Sequence, residues 1–323
     1  MTVSQFLINL STTRPIDAPQ AYNLGWKLAS VIKGRAYRSL LDTYTLERRQ
    51  IARELIAFDQ RFSKLFSSKP LSDTTEGDND GVDLQTFKEV FEKGNLFASG
   101  CAVDYVTNLI VTKPKGQKHR LGGHFFQTDP DMIDPSCSPS VYGKQDLASN
   151  IPIGMRLASH KVLNQSDARP WHLQELLPSD GSWRILVFAG NIAEHDQLSR
   201  YVALGEALAA PTCFYQRYKA KMSSEEPPFQ LLTIHSSSRH DIELQSLPEI
   251  FHPFSEEYGW DYGKVFVDDV SYHEGDAMAY ENYGIDSQRG CVVIVRPDQY
   301  VSWVGELEDV RDMDMFFDSF MKL

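Results

Sequence analysis

The sequence predicts an α/β protein, with a C-terminal thioredoxin-like α/β sandwich preceded by a pair of helices. Two observations carry that expectation. From Trp183 onward, short apolar runs closed by turn residues alternate with segments of helical spacing, whereas before residue 67 the apolar residues recur only every three or four positions. Between these lies a stretch with neither period. The chain therefore divides into helices over 1–66, linker, loops and short elements over 67–150, and the sandwich over 151–323.

Asp17, Pro19 and Gln20 open the first helix as N-cap, first-turn proline and capping-box partner. Ala21, Leu24, Leu28, Val31 and Ile32 then mark its buried face to about Lys33, and Gly34 stands where a left-handed residue is needed to end it. In the second helix Ile51, Leu55, Phe58, Phe62, Leu65 and Phe66 form the apolar stripe, with Glu47, Arg48, Arg49 and Lys64 on the polar face. It ends before Pro70. Ser67 to Asp83 is small, polar and acidic, a linker composition; Asp78 and Asp80 lack the spacing and distal Glu of a calcium loop. Phe87 to Lys93 predicts a short helix, and loops and short strands follow to about Pro170. The basic run Lys113 to Arg120 predicts a solvated turn.

Ile185 to Ala189 is a buried strand closed by Gly190, Glu194 to Ala209 a helix, Phe229 to His235 a second strand and Val265 to Val267 a third. Cys291–Val295 and Tyr300–Val304 flank the turn Arg296–Gln299 as an antiparallel hairpin, and Asp312 to Met321 closes the chain as an amphipathic helix. That order, β-α-β followed by a hairpin and a helix, is the thioredoxin-like one. No C-x-x-C is present, which excludes dithiol oxidoreductase chemistry.

Composition narrows the function classes. Of 323 residues, 42% are hydrophobic and 24% charged, as in ordinary globular proteins, and the net charge of −12 repels phosphate backbones and anionic lipid. Nucleic acid and membrane are thus poor partners. The first twenty residues lack a signal-peptide pattern and no apolar run spans a bilayer, so a cytoplasmic location is expected. Cys101, Cys137, Cys213 and Cys291 stand far apart and are expected as free thiols.

No two glycines are separated by one residue, so the phosphate-cradling turn of a dinucleotide fold is absent from this sequence, as are P-loop and zinc-protease motifs. His235 and His240 bracket Ser236–Arg239, yet no Gly-x-Ser-x-Gly elbow presents a nucleophile, and an ordinary strand-end turn is expected. Gly275 and Asp276, within His273–Ala277, predict an N-cap before a helix. No metal site is expected.

Ala21–Ala29, Leu41–Tyr44 and Glu47–Arg49 together resemble the helix pair after the last flavin motif of FAD-dependent aromatic hydroxylases, in particular the phenol 2-monooxygenase family. The resemblance continues through Phe58–Phe66, Lys93–Asn95, Phe97–Gly100, Val187–Gly190, Thr233–Ser236 with Arg239, Tyr283–Ile285 and Val295–Asp298. It covers essentially residues 20 to 323. It implies a thioredoxin-like dimerisation domain, a homodimer, and a parental reaction in which a phenolic small molecule is hydroxylated with FAD and NADPH. Residues 1–66 would then be a helical remnant of the FAD and substrate domain.

The departure from the family is at the front. This sequence reaches Asp17 without the family's Gly-x-Gly-x-x-Gly turn, its substrate-contacting residues or its Gly-Asp flavin motif. No catalytic residue is carried over, and Gly275-Asp276 imitates the flavin motif in the wrong domain. Tyr22, Asn23 and Trp26 match the flavin-side helix and are the cofactor-binding candidates, although helix packing also accounts for them. The expectation is a C-terminal portion of an aromatic hydroxylase, inactive alone and without a cofactor of its own. The alternatives are a noncatalytic dimerisation or scaffold protein, and a flavin-independent isomerase or cyclase of secondary metabolism. A long apolar cavity with converging His or Asp side chains would mark the last.

Overall fold

A computed structural model of the chain describes residues 17–67, 88, 103–116, 138–221, 227–272, 275–276 and 278–323. The first elements are α1 (Asp17–Ile32), α2 (Ser39–Ser67), β1 (Lys161–Asn164), β2 (Pro170–His172) and β3 (Trp183–Gly190). Next come α3 (His195–Ala209), α4 (Phe214–Lys221), β4 (Phe229–His235), β5 (Phe254–Ser255), β6 (Gly259–Trp260) and β7 (Val265–Val267). The chain closes with β8 (Val270–Ser271), β9 (Gly275–Asp276), α5 (Ala279–Tyr283), β10 (Cys291–Val295), β11 (Val301–Gly305) and α6 (Val310–Asp318).

Seven strands form one sheet in the order β11-β10-β3-β4-β7-β1-β2. β3, β4 and β7 run parallel, while β10 pairs antiparallel to β3 and β11 to β10. The β3-α3-β4 unit and the β10-β11-α6 unit together make the expected thioredoxin-like arrangement. Side chains alternate across each strand, and here both faces are covered. Trp183, Ile185, Val187 and Ala189 of β3 enter a core shared with α3, α4 and α6. Leu186 and Phe188 enter a second core with Ala279, Tyr280 and Tyr283 of α5. The two-sided burial explains why these strands read as unbroken apolar runs. Residues 103–116 and 138–150 also feed the packing, with Tyr105, Val111, Leu147 and Ala148 in the second core.

Trp183 is the hub of the first core. Its ring lies 5.5 Å from that of Trp26 on α1, 5.6 Å from Phe317 and 5.2 Å from Phe320. The Trp26 and Phe317 contacts are edge-to-face, and such pairs contribute roughly 0.5–1.5 kcal/mol beyond area burial. The turn between α1 and α2 is tied to the chain end by Tyr37 N–H donating to Phe320 O and Lys322 N–H to Arg35 O. Gly34 ends α1 at φ +69°, the left-handed conformation expected of it.

Several expectations need correction. Among the described side chains of α1, Asn23, Trp26 and Lys27 are buried, while Leu28 is 41% and Ile32 76% exposed. Trp26 seats on the aromatic hub, and that rotates the helix away from its aliphatic stripe. Glu47, assigned to the polar face of α2, is fully buried, and Lys113, placed in a solvated turn, is buried and ion-paired to Asp104. Gly275 and Asp276 form β9 against Val270 and Ser271 rather than capping α5. The cap is Asp268, whose carboxylate accepts from the N–H groups of Ala279 and Tyr280 at 2.9 and 2.8 Å. The hairpin's second strand starts at Val301 instead of Tyr300, because the pairing shifts register between Ile294 and Val295. The last helix starts at Val310, and α4 was not anticipated.

Apart from Ser67 and Lys88, the linker Ser67–Asp83 and the helix expected at Phe87–Lys93 lie outside the described residues, as do Cys101 and Cys137. Cys213 and Cys291 are buried and free. All four cysteines are expected to react with a thiol reagent after denaturation without reductant; a count below four would contradict this. No described helix is long and apolar enough to cross a membrane.

Candidate functional site

Polar groups concentrate where α1 and α2 meet the β10–β11 hairpin. Gln299 takes φ +68° and the backbone closes with Arg296 N–H on Tyr300 O at 2.8 Å, which turns the Arg296 side chain inward. Its guanidinium binds both oxygens of Asp298, at 2.8 and 2.6 Å, and also Glu47 Oε1 at 2.6 Å and Oε2 at 3.2 Å. Glu47 Oε2 accepts further bonds from Lys27 Nζ at 2.7 Å and Asn23 Nδ2 at 2.8 Å. Two cations thus face two carboxylates with no net charge. The aromatic rings of Trp26, Tyr105 and Tyr300 enclose the guanidinium at 5.5, 5.2 and 5.5 Å.

Burial governs the electrostatics. Desolvation alone would raise the Glu47 carboxyl, but Arg296 and then Lys27 outweigh it and hold it down to about 2. For Lys27 desolvation prevails over the attraction of Glu47 and lowers the ammonium to about 8. Arg296, although desolvated, is raised by Asp298 and Glu47.

A second buried group lies further along α2. Gln50 Nε2 donates to Glu54 Oε1 at 2.6 Å and to Asp104 O at 2.8 Å, and Gln50 Oε1 accepts from Val106 N–H at 2.9 Å. Lys113 pairs with the Asp104 carboxylate. Burial pushes Glu54 up to about 7, a shift that its Gln50 hydrogen bond reduces without cancelling.

All three cofactor candidates fall at the first cluster. Tyr22 Oη donates to Pro297 O at 2.7 Å, Asn23 is bonded to Glu47 and Tyr105, and Trp26 packs between Trp183 and Arg296. The two polar atoms that remain unpartnered here, Asn23 Oδ1 and Trp26 Nε1, are enclosed by protein. These side chains take part in the contact of α1 with α2, Tyr105 and the β10–β11 hairpin.

The other sequence candidates are also committed to structure. His235 is fully buried, bonded to Gln165 Oε1 at 3.0 Å, and burial lowers it to about 4, so it stands neutral. Ser236 Oγ bonds Ser287 O at 3.2 Å and Ser237 Oγ accepts from Ala193 N–H at 3.0 Å, consistent with a strand-end turn. Among the described residues no group of three or more potential metal ligands converges. The junction itself was missed at the sequence level. On α1 its legible signal was Lys27 beside Trp26, where a buried charge requires partners.

Buried ion pairs thus hold α1 and α2 to a two-sided α/β sandwich. The family described as the phenol hydroxylase C-terminal dimerisation domain matches residues 103–323, and the FAD-binding domain family matches residues 18–59. The chain belongs to the phenol hydroxylase family. The FAD-dependent monooxygenase terD of Aspergillus terreus is 33% identical over 95% of this chain and 45% of its own length. Phenol 2-monooxygenase fsqG of Aspergillus fumigatus is 33% identical over 92% and 43%, and 3-hydroxybenzoate 4-monooxygenase of Comamonas testosteroni 32% over 94% and 42%. The chain thus spans less than half the length of these curated relatives. Among solved structures, the flavin-dependent monooxygenase PieE, in complex with FAD and substrate, covers 93% of this chain with 44% of its own, at a TM-score of 0.46 and 15% identity.

Proposed function

We propose that this chain is the packing and dimerisation portion of an FAD-dependent aromatic hydroxylase, and that alone it forms a homodimer without hydroxylase activity. The hydroxylation of a phenolic ring, and FAD as the cofactor, belong to the family's full-length proteins. The observation that supports the reading is that Tyr22 and Trp26 engage the β10–β11 hairpin, at Pro297 and Arg296, while Asn23 bonds Glu47 and Tyr105: the residues that resemble the flavin-side helix bind protein. The sequence given offers no glycine turn for a pyrophosphate. Hydroxylation needs an activated oxygen held against a phenolate by a positioned base, and no described group is placed for either.

The purified chain is expected to be colourless and, with added FAD, NADPH and phenol, to yield no catechol above a buffer control. Catechol formed at a rate proportional to protein would refute the proposal. Of the two alternatives, a noncatalytic scaffold stays closer to the geometry than an isomerase or cyclase. The groove formed by α4, β4 and the β5–β6 region is lined by Tyr215, Phe229, Ile250, two lysines and a single acid, Asp261, so no group of His or Asp side chains converges in it.

A further inference from the structure

The β5–β6 hairpin and the groove at its root are complementary to each other. The groove, about 240 Å³, is walled by Tyr215 and Phe229, whose rings stack at 5.7 Å, and rimmed by Lys219 and Lys264. Pro253 and Asp261 line it too, and the bond from Asp261 N–H to Pro253 O at 3.0 Å closes the root of the hairpin. Groove and hairpin therefore occupy one continuous face.

The hairpin carries aromatic side chains out of that face. Phe254 is 50% exposed, its ring 5.2 Å from Trp260, and Tyr258 at the tip is 83% exposed. Beside Tyr258 stand Glu256 and Glu257, both exposed. Exposed aromatics are enriched at the centre of interfaces, and charged side chains belong to their solvated rim. Of the rim lysines, Lys219 is exposed and Lys264 pairs with Asp261 at 3.7 Å. An acidic aromatic tip next to a lysine-rimmed aromatic groove is what a two-fold interface requires, because each copy must present both halves of the contact.

We propose that a second copy of this chain docks on this face. Tyr258 of each copy enters the other's groove, with Glu256 and Glu257 against Lys219 and Lys264. The proposal rests on the homodimer reading above and names its surface. The test is a charge exchange. The variants E256K/E257K and K219E/K264E each place like charges in both copies of the contact, and each is expected to run at monomer mass by light scattering at micromolar concentration. Mixed in equal amounts, they restore both attractive contacts and should return dimer mass.

Circular dichroism equal to wild type verifies folding. Should either charge variant misfold, Tyr258→Ala takes its place and is expected to raise the dimer dissociation constant about tenfold or more. A wild-type dimer whose variants remain dimeric would overturn this surface and leave the homodimer reading standing. Monomeric variants whose mixture stays monomeric would also overturn it. A monomeric wild type would remove both.

Discussion

Replacing Glu47 with Gln is expected to lower the free energy of unfolding by about 3–5 kcal/mol at neutral pH, the range for breaking one member of a buried ion-pair network. The carboxylate accepts from Arg296, Lys27, Asn23 and Asn108, and all four donors are buried with it. An amide of the same shape turns one end from acceptor to donor and leaves two desolvated cations facing one remaining carboxylate, Asp298. The double variant Glu47→Gln with Lys27→Met should recover at least about 1 kcal/mol, because it leaves the Arg296–Asp298 pair balanced. The effect has a pH signature. Since the folded Glu47 pKa of about 2 lies below the ordinary 4.5, the unfolded state binds more protons between these values. The stability from Glu47 is complete above about 4.5 and is lost as pH falls toward 2, so wild type and Glu47→Gln should converge over that interval. Urea titrations followed by tryptophan emission check this, and a midpoint unchanged at pH 7 would contradict it.

What the sequence revealed and what it hid follow from the range of the forces involved. β3 and β4 were legible because both of their faces are largely buried, so Ile185–Ala189 is apolar throughout and β4 carries Phe229, Leu231, Leu232 and Ile234. The hairpin was legible because Arg296–Gln299 is a local turn. β1 and β2, of four and three residues, close one side of the sheet, with β2 as its edge strand, and carry too few residues for a period to emerge. α4 escaped notice because Gln216, Arg217, Lys219 and Lys221 dilute its two buried residues, Phe214 and Tyr218. The junction was invisible for a different reason: Glu47 and Arg296 stand 249 positions apart, and each alone reads as a solvated charge. On α2 the buried Glu47, Gln50, Glu54 and Phe58 share one stripe at helical spacing. A polar series on the same side as Ile51 and Phe58 was the available sign that α2 docks against protein through charge as well as through hydrocarbon.

Glu54 supplies the opposite pH dependence. Replacing it with Gln is expected to stabilise the protein by about 1–3 kcal/mol at pH 8, since its folded pKa of about 7 lies well above the ordinary 4.5 and each unit corresponds to about 1.4 kcal/mol. Burial raises it, and the nearby Asp104 carboxylate adds to the shift, while Gln50 and Lys113 oppose it. Between 4.5 and 7 the folded state holds a proton on Glu54 that the unfolded state has released. The wild-type contribution from this group therefore falls as pH rises through that window and levels off above it. Gln at this position keeps an oxygen for Gln50 Nε2 and carries no charge to desolvate, so the variant loses the slope and gains most where Glu54 would be ionised. Comparing the two proteins by chemical denaturation at pH 5 and pH 8 separates the cases. Equal unfolding free energies at pH 5 with a widening gain toward pH 8 is the expected result, and a constant difference across that range would show that Glu54 does not titrate in the folded protein.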